Sequence, residues 1–311
     1  MPLPDNEKTV ETANKLVKTL RGAFNTPSAY RPAHARGRLV KGAFEPSTRA
    51  AELSKAPHFH SSETPVVVRF SSATGLPNIP DTSGDANPRG MGIRFVLSDD
   101  GHRHTDIIAH STAFFPVRTG EGFLELLGAI GGGTIGKFLE ENPAAAAFVN
   151  DPKPSPTSFA TEKYYAVNAF KLISGEGKET SIRYRVVPEE FSVLSESDLA
   201  TKSESYLYEE LPTRLAQGPV VFKLVAQIAQ DGDVTDDATV HWPEERDIVE
   251  LGTIELNEMV SEAESKKYEK HMILDPIPRV DGIGPSDDPL LDMQAAIYLL
   301  SGRERRAAEE A

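Results

Sequence analysis

The chain contains no cysteine and therefore has no thiolate nucleophile or thiolate metal ligand, so its chemistry must rest on His, Tyr, Ser or carboxylate side chains. Four of its eight histidines form two His-x-His pairs, His58 with His60 and His102 with His104. On a strand, this spacing puts both imidazoles on one face at a distance suited to a shared metal ion. Both pairs lie in turn-rich segments without a further ligand at a following spacing. We therefore interpret them as solvent-exposed turn residues, with a metal site as the alternative.

His34 stands in a different context, just before the first predicted strand and three residues after Arg31. Arg69 and Ser71 follow at the end of the next predicted strand, and alternate residues of a strand point to the same face. A single histidine near a strand is more often structural than catalytic. His34 therefore gains a functional interpretation only together with the motifs around it.

The elements that must position these residues are short β-rich runs interleaved with helical segments. Apolar residues at helical spacing predict an amphipathic helix over residues 6–20, capped by Asp5 or Asn6. Residues 72–90 are dense in Gly, Pro, Asn and Asp and predict a long loop. The strands are predicted at residues 39–44, 65–71, 92–97, 106–109, 164–173, 181–187, 220–227 and 249–256, and further helices at 121–130, 135–149, 198–216 and 288–306.

Roughly eight antiparallel-looking strands with helices between them predict an α+β fold, an antiparallel β-barrel covered by helices. The sequence has no internal repeat and no shift in composition that would mark a boundary. We therefore expect a single domain over residues 1–311, with an N-terminal helix within residues 1–26 and a C-terminal helix at 288–306.

Composition and charge exclude several classes of partner. The chain has 311 residues, with 33 Lys and Arg against 47 Asp and Glu, so its formal net charge is −14. Nucleic acids and anionic membrane surfaces both require a basic footprint, so neither is an expected partner. The N-terminal segment lacks the pattern of a secretory signal, and the apolar stretches are too short to span a bilayer. We expect a cytoplasmic protein.

Several motifs occur in an order that identifies a family. They are RPAHARGRLVKGAFEPS, TPVVVRFSSATG, NPRGMGIRF, DIIAHSTAFFPV, VHWPEER, LGTIELNE and GIGPSDDPLLDMQAAIYLLSGRERR. Together they resemble the haem-binding core of the catalase family, from about Pro27 to Arg306. The chain is too short for the long N-terminal arm and the C-terminal helical domain of full catalases, so it is most similar to small catalase-related peroxidases. The resemblance implies a catalase-type barrel, with haem b as cofactor.

On the distal side of the haem, the resemblance assigns roles to five positions. His34 matches the histidine that takes a proton from peroxide and returns it to the departing oxygen, which suits imidazole. Ser71 matches the hydroxyl that holds the tautomer of this ring. Phe115 and Phe123 match the aromatic side chains that pack against haem. His110 is a departure, because the family usually has an asparagine there that hydrogen-bonds peroxide.

On the proximal side, Tyr298 matches the axial ligand whose phenolate binds the iron. Arg31, Arg69 and Arg305 match the arginines that pair with the haem propionates. Helical spacing agrees, because Gln294, Tyr298 and Arg305 share one face of the helix at 288–306. Gln294 is the second departure: the family has an arginine there that helps to keep the phenolate ionised.

The resemblance implies a haem peroxidase that reduces hydrogen peroxide or organic hydroperoxides with an external organic electron donor. The changes at His110 and Gln294 predict weak or no catalase activity. Two alternatives use the same scaffold: a hydroperoxide isomerase of the allene-oxide-synthase type, and a haem-binding protein without significant turnover. A non-haem metalloprotein built on the His-x-His pairs is a further alternative. Without the threading arm of the large catalases, the chain is expected to form a homodimer.

Overall fold

Eight antiparallel strands close into a barrel in this computed structural model, which describes residues 2–308. Around the barrel each strand pairs with the next in the order β1-β2-β3-β4-β5-β7-β8-β9, and β9 pairs back with β1. The prediction of an α+β barrel of about eight strands is confirmed. The eight are β1 (Gly37–Pro46), β2 (Thr64–Ser71), β3 (Gly90–Val96), β4 (His104–His110), β5 (Tyr164–Tyr165), β7 (Glu179–Pro188), β8 (Val220–Ile228) and β9 (Ile248–Met259), while β6 (Phe170–Ile173) and β10 (Ile283–Pro285) extend the sheet beside β7.

Helices cover the barrel. The first begins after Asn6, whose side chain accepts a hydrogen bond from the backbone N–H of Thr9 at 3.2 Å, as an N-cap does. In the described residues the helices are α1 (Glu7–Phe24), α2 (Thr48–Leu53), α3 (Gly120–Gly131), α4 (Ile135–Glu141), α5 (Pro143–Asn150), α6 (Glu196–Leu199), α7 (Tyr206–Leu215), α8 (Glu262–His271) and α9 (Pro289–Ala307). None of them is long and apolar enough to cross a membrane.

The interior of the barrel is filled by aromatic rings. Phe70 stacks on Phe159 with 5.2 Å between ring centroids, and Phe44 meets Phe95 edge-to-face at 5.2 Å. Such rings bury large apolar areas and pack at close to crystal density. Because the barrel is a packed core, a ligand site of any size must lie outside it.

A second apolar cluster joins α1 to α9 beside the barrel. Ala13 and Leu16 of α1 pack against Met293 and Ala296 of α9. The predicted amphipathic face of the first helix is therefore buried, and what covers it is the helix at the other end of the described chain.

Three predicted elements are each broken into two. The helix at 135–149 is interrupted because Pro143 starts a new helix. The strand at 164–173 leaves the sheet at Asn168, whose side-chain amide donates to Asp288 at 2.9 Å. The helix at 198–216 is interrupted at 201–205, where Glu204 and Ser205 hydrogen-bond to the loop carrying Asp81 and to Arg36.

The prediction that all four paired histidines are exposed in turns was wrong for His58. Its side chain is only 1% exposed and packs among Phe44, Phe59 and Phe95. It was wrong for His104 too, which is half-buried and begins strand β4, whereas His60 and His102 are exposed, as predicted. Within residues 2–308, no three His, Asp or Glu side chains gather into a metal-binding group. The described residues therefore form no metal site around the His-x-His pairs.

Candidate functional site

A cavity of about 220 Å³ lies between the outer face of strands β2–β4 and helices α1, α3 and α9. Its walls are mainly apolar, with polar side chains gathered at a few points. All ten residues predicted for the site line this one cavity. They are Arg31, His34, Arg69, Ser71, His110, Phe115, Phe123, Gln294, Tyr298 and Arg305.

His34 is held firmly from both its side chain and its backbone. Its Nδ1 lies 3.0 Å from the hydroxyl oxygen of Ser71, and its backbone N–H donates to the carbonyl of Ala73 at 3.0 Å. Its carbonyl accepts a hydrogen bond from the Arg69 guanidinium at 3.0 Å. These contacts fix a backbone with φ of 55°, which is uncommon for a residue with a side chain. Their combined effect is to aim one imidazole into the cavity.

The floor beneath His34 requires a glycine. A Cβ atom at Gly90 would lie 2.7 Å from Nδ1 of His34 and 2.6 Å from the Ser71 hydroxyl. These distances are too short for non-bonded atoms, so any side chain would displace the His34–Ser71 pair. Gly90 therefore belongs to the site, although it carries no chemistry.

His34 is a neutral imidazole at physiological pH. Burial lowers its pKa to about 3, and the positive charge of Arg69 acts in the same direction. A neutral ring has a free lone pair and can accept a proton, which an imidazolium cannot do. The environment therefore keeps His34 in the form that a general base requires.

His110, at the end of β4, is neutral as well. Burial lowers its pKa to about 4. The backbone N–H of Thr112 donates to its Nδ1 at 3.4 Å, and the Thr112 hydroxyl lies 2.7 Å from the same atom. Because Nδ1 accepts, the proton of the neutral ring lies on Nε2. His110 can therefore donate one hydrogen bond, as the asparagine expected at this position would.

Two phenylalanines form the aromatic part of the wall. The rings of Phe115 and Phe123 lie 5.5 Å apart between centroids, and Phe115 is 6.3 Å from the ring of His110. Phe123 sits in the first turn of α3, where the Thr119 side chain accepts from the backbone N–H of Gly122. The N-cap therefore fixes the position of one of these rings.

Helix α9 carries Gln294 and Tyr298 on its cavity side. The helix starts at an Asp288 cap followed by Pro289, a favourable pair for a first turn. Burial raises the pKa of Tyr298 to about 12, and the Arg31 guanidinium opposes that rise. Without a bound metal the residue is a neutral phenol.

Three guanidinium groups converge at one end of the cavity. Arg69 and Arg305 are each 3% exposed, and the Arg31 side chain is 13% exposed. Arg69 donates from Nε to Glu269 at 2.6 Å, and Arg31 forms an ion pair with the other oxygen of the same carboxylate. Arg305 donates to the backbone carbonyl of Glu269 at 3.0 Å. One acidic residue therefore contacts all three arginines.

Glu269 and helix α8 are absent from the sequence predictions. A signal for the helix exists, since Ser261 accepts from the backbone N–H of Glu264 at 3.3 Å, and Ser-x-x-Glu is the pattern of a capping box. Leu16 and Leu20 lie within the amphipathic helix predicted over residues 6–20, for which no role in the site was predicted. Both line the cavity.

The cavity fits a flat apolar group that carries negative charges at one edge and a metal at its centre. Aromatic and aliphatic side chains line the slot, three cations lie at one end, and the phenol of Tyr298 faces it without a hydrogen-bond partner among residues 2–308. Carboxylates pair well with guanidinium groups, and phenolate is a known ligand of haem iron. Haem, with two propionates, has these properties.

Comparison with known proteins points the same way. The sequence model of the family described as Catalase matches residues 26–131 and 137–310. The chain is 33% identical over 309 residues to a catalase-related peroxidase of Mycolicibacterium paratuberculosis, covering 96% of each chain. It is 32% identical to a catalase-related peroxidase of Synechococcus elongatus, covering 94% of this chain and 88% of that one.

The fold has a counterpart among solved structures. The crystal structure of a fungal catalase superposes with a TM-score of 0.78 at 22% identity, covering 93% of this chain and 62% of that chain. The barrel and its helices are thus of the catalase type. From the family match and the two relatives we conclude that the chain belongs to the catalase family.

Proposed function

We propose that the protein is a haem-dependent peroxidase that reduces hydrogen peroxide or organic hydroperoxides with electrons from an organic donor. The observation that carries the proposal is a neutral, firmly held His34 in the same cavity as the Tyr298 phenol. Two relatives named catalase-related peroxidase support it. A cytoplasmic location and a homodimer remain predictions.

Haem b is the proposed cofactor. Tyr298 would bind the iron, Arg31, Arg69 and Arg305 would pair with the propionates, and Phe115 and Phe123 would pack against the ring. When bound, haem supplies the redox-active iron at which peroxide is reduced. The side chains of the cavity transfer protons and orient the peroxide.

His34 performs the proton transfers. With the ring proton on Nδ1, which donates to the Ser71 hydroxyl oxygen at 3.0 Å, Nε2 keeps its lone pair and is the nitrogen available to peroxide. Nε2 would accept a proton from one oxygen of the peroxide and return it to the other, which would leave as water or an alcohol when the O–O bond breaks, with the electrons coming from the organic donor through the haem. This general acid–base role is a typical one for imidazole.

The balance between peroxidase and catalase activity depends on His110 and Gln294. Catalase turnover uses a second peroxide as donor, which must be oriented in the distal pocket. His110 can donate only one hydrogen bond and is bulkier than the expected asparagine. Gln294 offers a neutral amide where an arginine would stabilise a phenolate. Both substitutions favour an external donor over a second peroxide.

The test is product analysis with the haem-loaded protein. Hydrogen peroxide with an aromatic donor should give oxidised donor and little oxygen, and a fatty-acid hydroperoxide should give the corresponding alcohol. Oxygen release matching peroxide loss would indicate a catalase, and an unstable epoxide would indicate the isomerase alternative. Bound haem without any turnover would leave only a haem-binding role.

The rate of reaction with peroxide is expected to be independent of pH from about 5 to 8. An ordinary histidine titrates near 6.5, whereas the pKa of His34 is lowered to about 3 and that of His110 to about 4. Protonation of His34 would remove the general base, so kcat/KM for peroxide should fall only below about pH 4, with a midpoint near 3. A decline centred near 6.5 would contradict this assignment of the base.

Replacing Ser71 with alanine tests the support of the base. The variant loses the hydrogen bond that Nδ1–H of His34 donates to the Ser71 hydroxyl oxygen and gains no clash. We expect kcat/KM for peroxide to fall about fivefold, the equivalent of the roughly 1 kcal/mol of one neutral hydrogen bond. Ser61→Ala, at an exposed turn hydroxyl away from the cavity, is the matched control. Equal rates for the two variants would exclude a role for Ser71.

A further inference from the structure

The C-terminal end of α8 closes the arginine end of the cavity. The carbonyl of Glu269 accepts from Arg305, and the carbonyl of Met272 accepts from Arg31 at 3.2 Å and from Arg305 at 3.1 Å. Helix C-terminal ends carry unpaired carbonyls and partial negative charge, which cations stabilise. The backbone of α8 therefore contributes to holding two of the three arginines.

The carboxylate of Glu269 makes a different kind of contact. One oxygen accepts from Nε of Arg69 at 2.6 Å, and the other pairs with Nη1 of Arg31. Its side chain is 30% exposed, whereas Arg69 is almost fully buried. It is therefore a bridging anion at the rim of the cluster, and it fixes two guanidinium groups relative to each other.

The Glu269 carboxylate also sets the net charge of the arginine cluster. Three buried guanidinium groups carry +3, and Glu269 carries −1, so the contacting groups sum to +2. Buried charges that lack a partner are costly, so a bound ligand is favoured when it neutralises what remains. A ligand with two carboxylates does this, and without Glu269 one positive charge would be left over.

We propose that Glu269 is a positioning residue. It lowers the net charge of the arginine cluster to the value that the two carboxylates of a porphyrin neutralise, and it stays beside the arginines when that porphyrin is bound. This inference rests on the proposed haem function. It assigns to α8, which follows β9 in the chain, a residue that matches the charge of the protein to that of its cofactor.

The test compares two substitutions at this position in the haem-loaded protein. Glu269→Gln keeps the shape of the side chain and removes its charge, and Glu269→Asp keeps the charge. Loss of a nearby negative charge favours the reduced, more negative state of the haem. The Fe(III)/Fe(II) midpoint potential, measured by spectroelectrochemical titration, should therefore move to a more positive value in Glu269→Gln and stay near the parent value in Glu269→Asp.

The control is Glu264→Gln on the same helix, where the carboxylate pairs with Lys41 at 2.9 Å outside the arginine cluster. It should leave the potential of the haem unchanged. An unchanged potential in haem-loaded Glu269→Gln would overturn the proposal, since Glu269 would then have moved away on haem binding.

If Glu269→Gln binds too little haem for its midpoint potential to be measured, haem retention by the two variants tests the proposal instead. Loss of haem from Glu269→Gln but not from Glu269→Asp, as followed by hemin titration, would support the proposal, because Glu269→Asp keeps the negative charge that Glu269→Gln removes. Equal loss from both variants would overturn it in favour of a purely steric role. If the unmodified protein binds no hemin, the proposed function itself has failed.

Discussion

A His34→Ala variant of the haem-loaded protein is expected to react with hydrogen peroxide about 10²- to 10⁴-fold more slowly than the parent, the range that a positioned general acid–base contributes. The reason is geometric as well as chemical. The hydroxyl of Ser71 and the Arg69 guanidinium hold the side chain and the backbone of His34, and burial keeps its imidazole neutral. Among the described residues that line the cavity, the other imidazole is that of His110, whose Nδ1 lone pair is already engaged by Thr112.

The measurement is the second-order rate constant for the peroxide reaction, recorded by stopped-flow absorbance of the haem-loaded protein. His60→Ala is the matched control, because this histidine is exposed outside the cavity and its ring hydrogen-bonds to the nearby carbonyl of Ser54. It should react like the parent. Parent-like rates in His34→Ala at full haem content would assign the proton transfer to another group, of which His110 is the first candidate.

A Tyr298→Phe variant should lose haem affinity and peroxidase activity by at least about 100-fold, since loss of residues that merely support metal ligands already costs 10–100-fold. Phenylalanine fills nearly the same space on α9, so the packing of the helix is retained while the oxygen ligand disappears. The expected spectrum lacks the features of a phenolate-ligated ferric haem. Hemin titration followed at the Soret band measures both effects.

Tyr206→Phe provides the control for removing a phenol hydroxyl. That hydroxyl donates to the carbonyl of Pro156 at 2.7 Å, outside the cavity, and its loss should leave the haem spectrum unchanged. A parent-like spectrum and hemin affinity in Tyr298→Phe would show that the iron is held by another residue, and the assignment of α9 as the ligand helix would have to be withdrawn.

The barrel could be predicted from the sequence because its strands carry a local signal. Val66, Val68 and Phe70 alternate into the core, and such a pattern needs no knowledge of the partner strands. The breaks in the predicted helices and in one strand arise from tertiary contacts. The side chain of Asn168 reaches Asp288, 120 positions away, and no local pattern encodes such a contact.

The candidate site likewise contains residues that could be predicted from the sequence and residues that could not. His34, Ser71 and Tyr298 lie in motifs that resemble a family, so their proximity could be predicted without a structure. Glu269 lies in a polar helix whose residues look like an ordinary solvated surface, and it meets Arg69 across 200 positions. Only the closure of the barrel brings that carboxylate to the arginines. His58 was misjudged for a related reason, since its burial depends on rings from three different segments.

The pairing of α1 with α9 has a consequence for cofactor retention. Arg21 of α1 and Glu304 of α9 are joined by a 2.7 Å ion pair although they are 283 positions apart, and Leu16 and Leu20 close the cavity from the same side. Contacts between such distant segments carry a loop-closure cost in entropy, which the packing of the two helices must offset. The pocket is therefore complete only where α1 and α9 are in contact, so cofactor retention depends on both ends of the described chain.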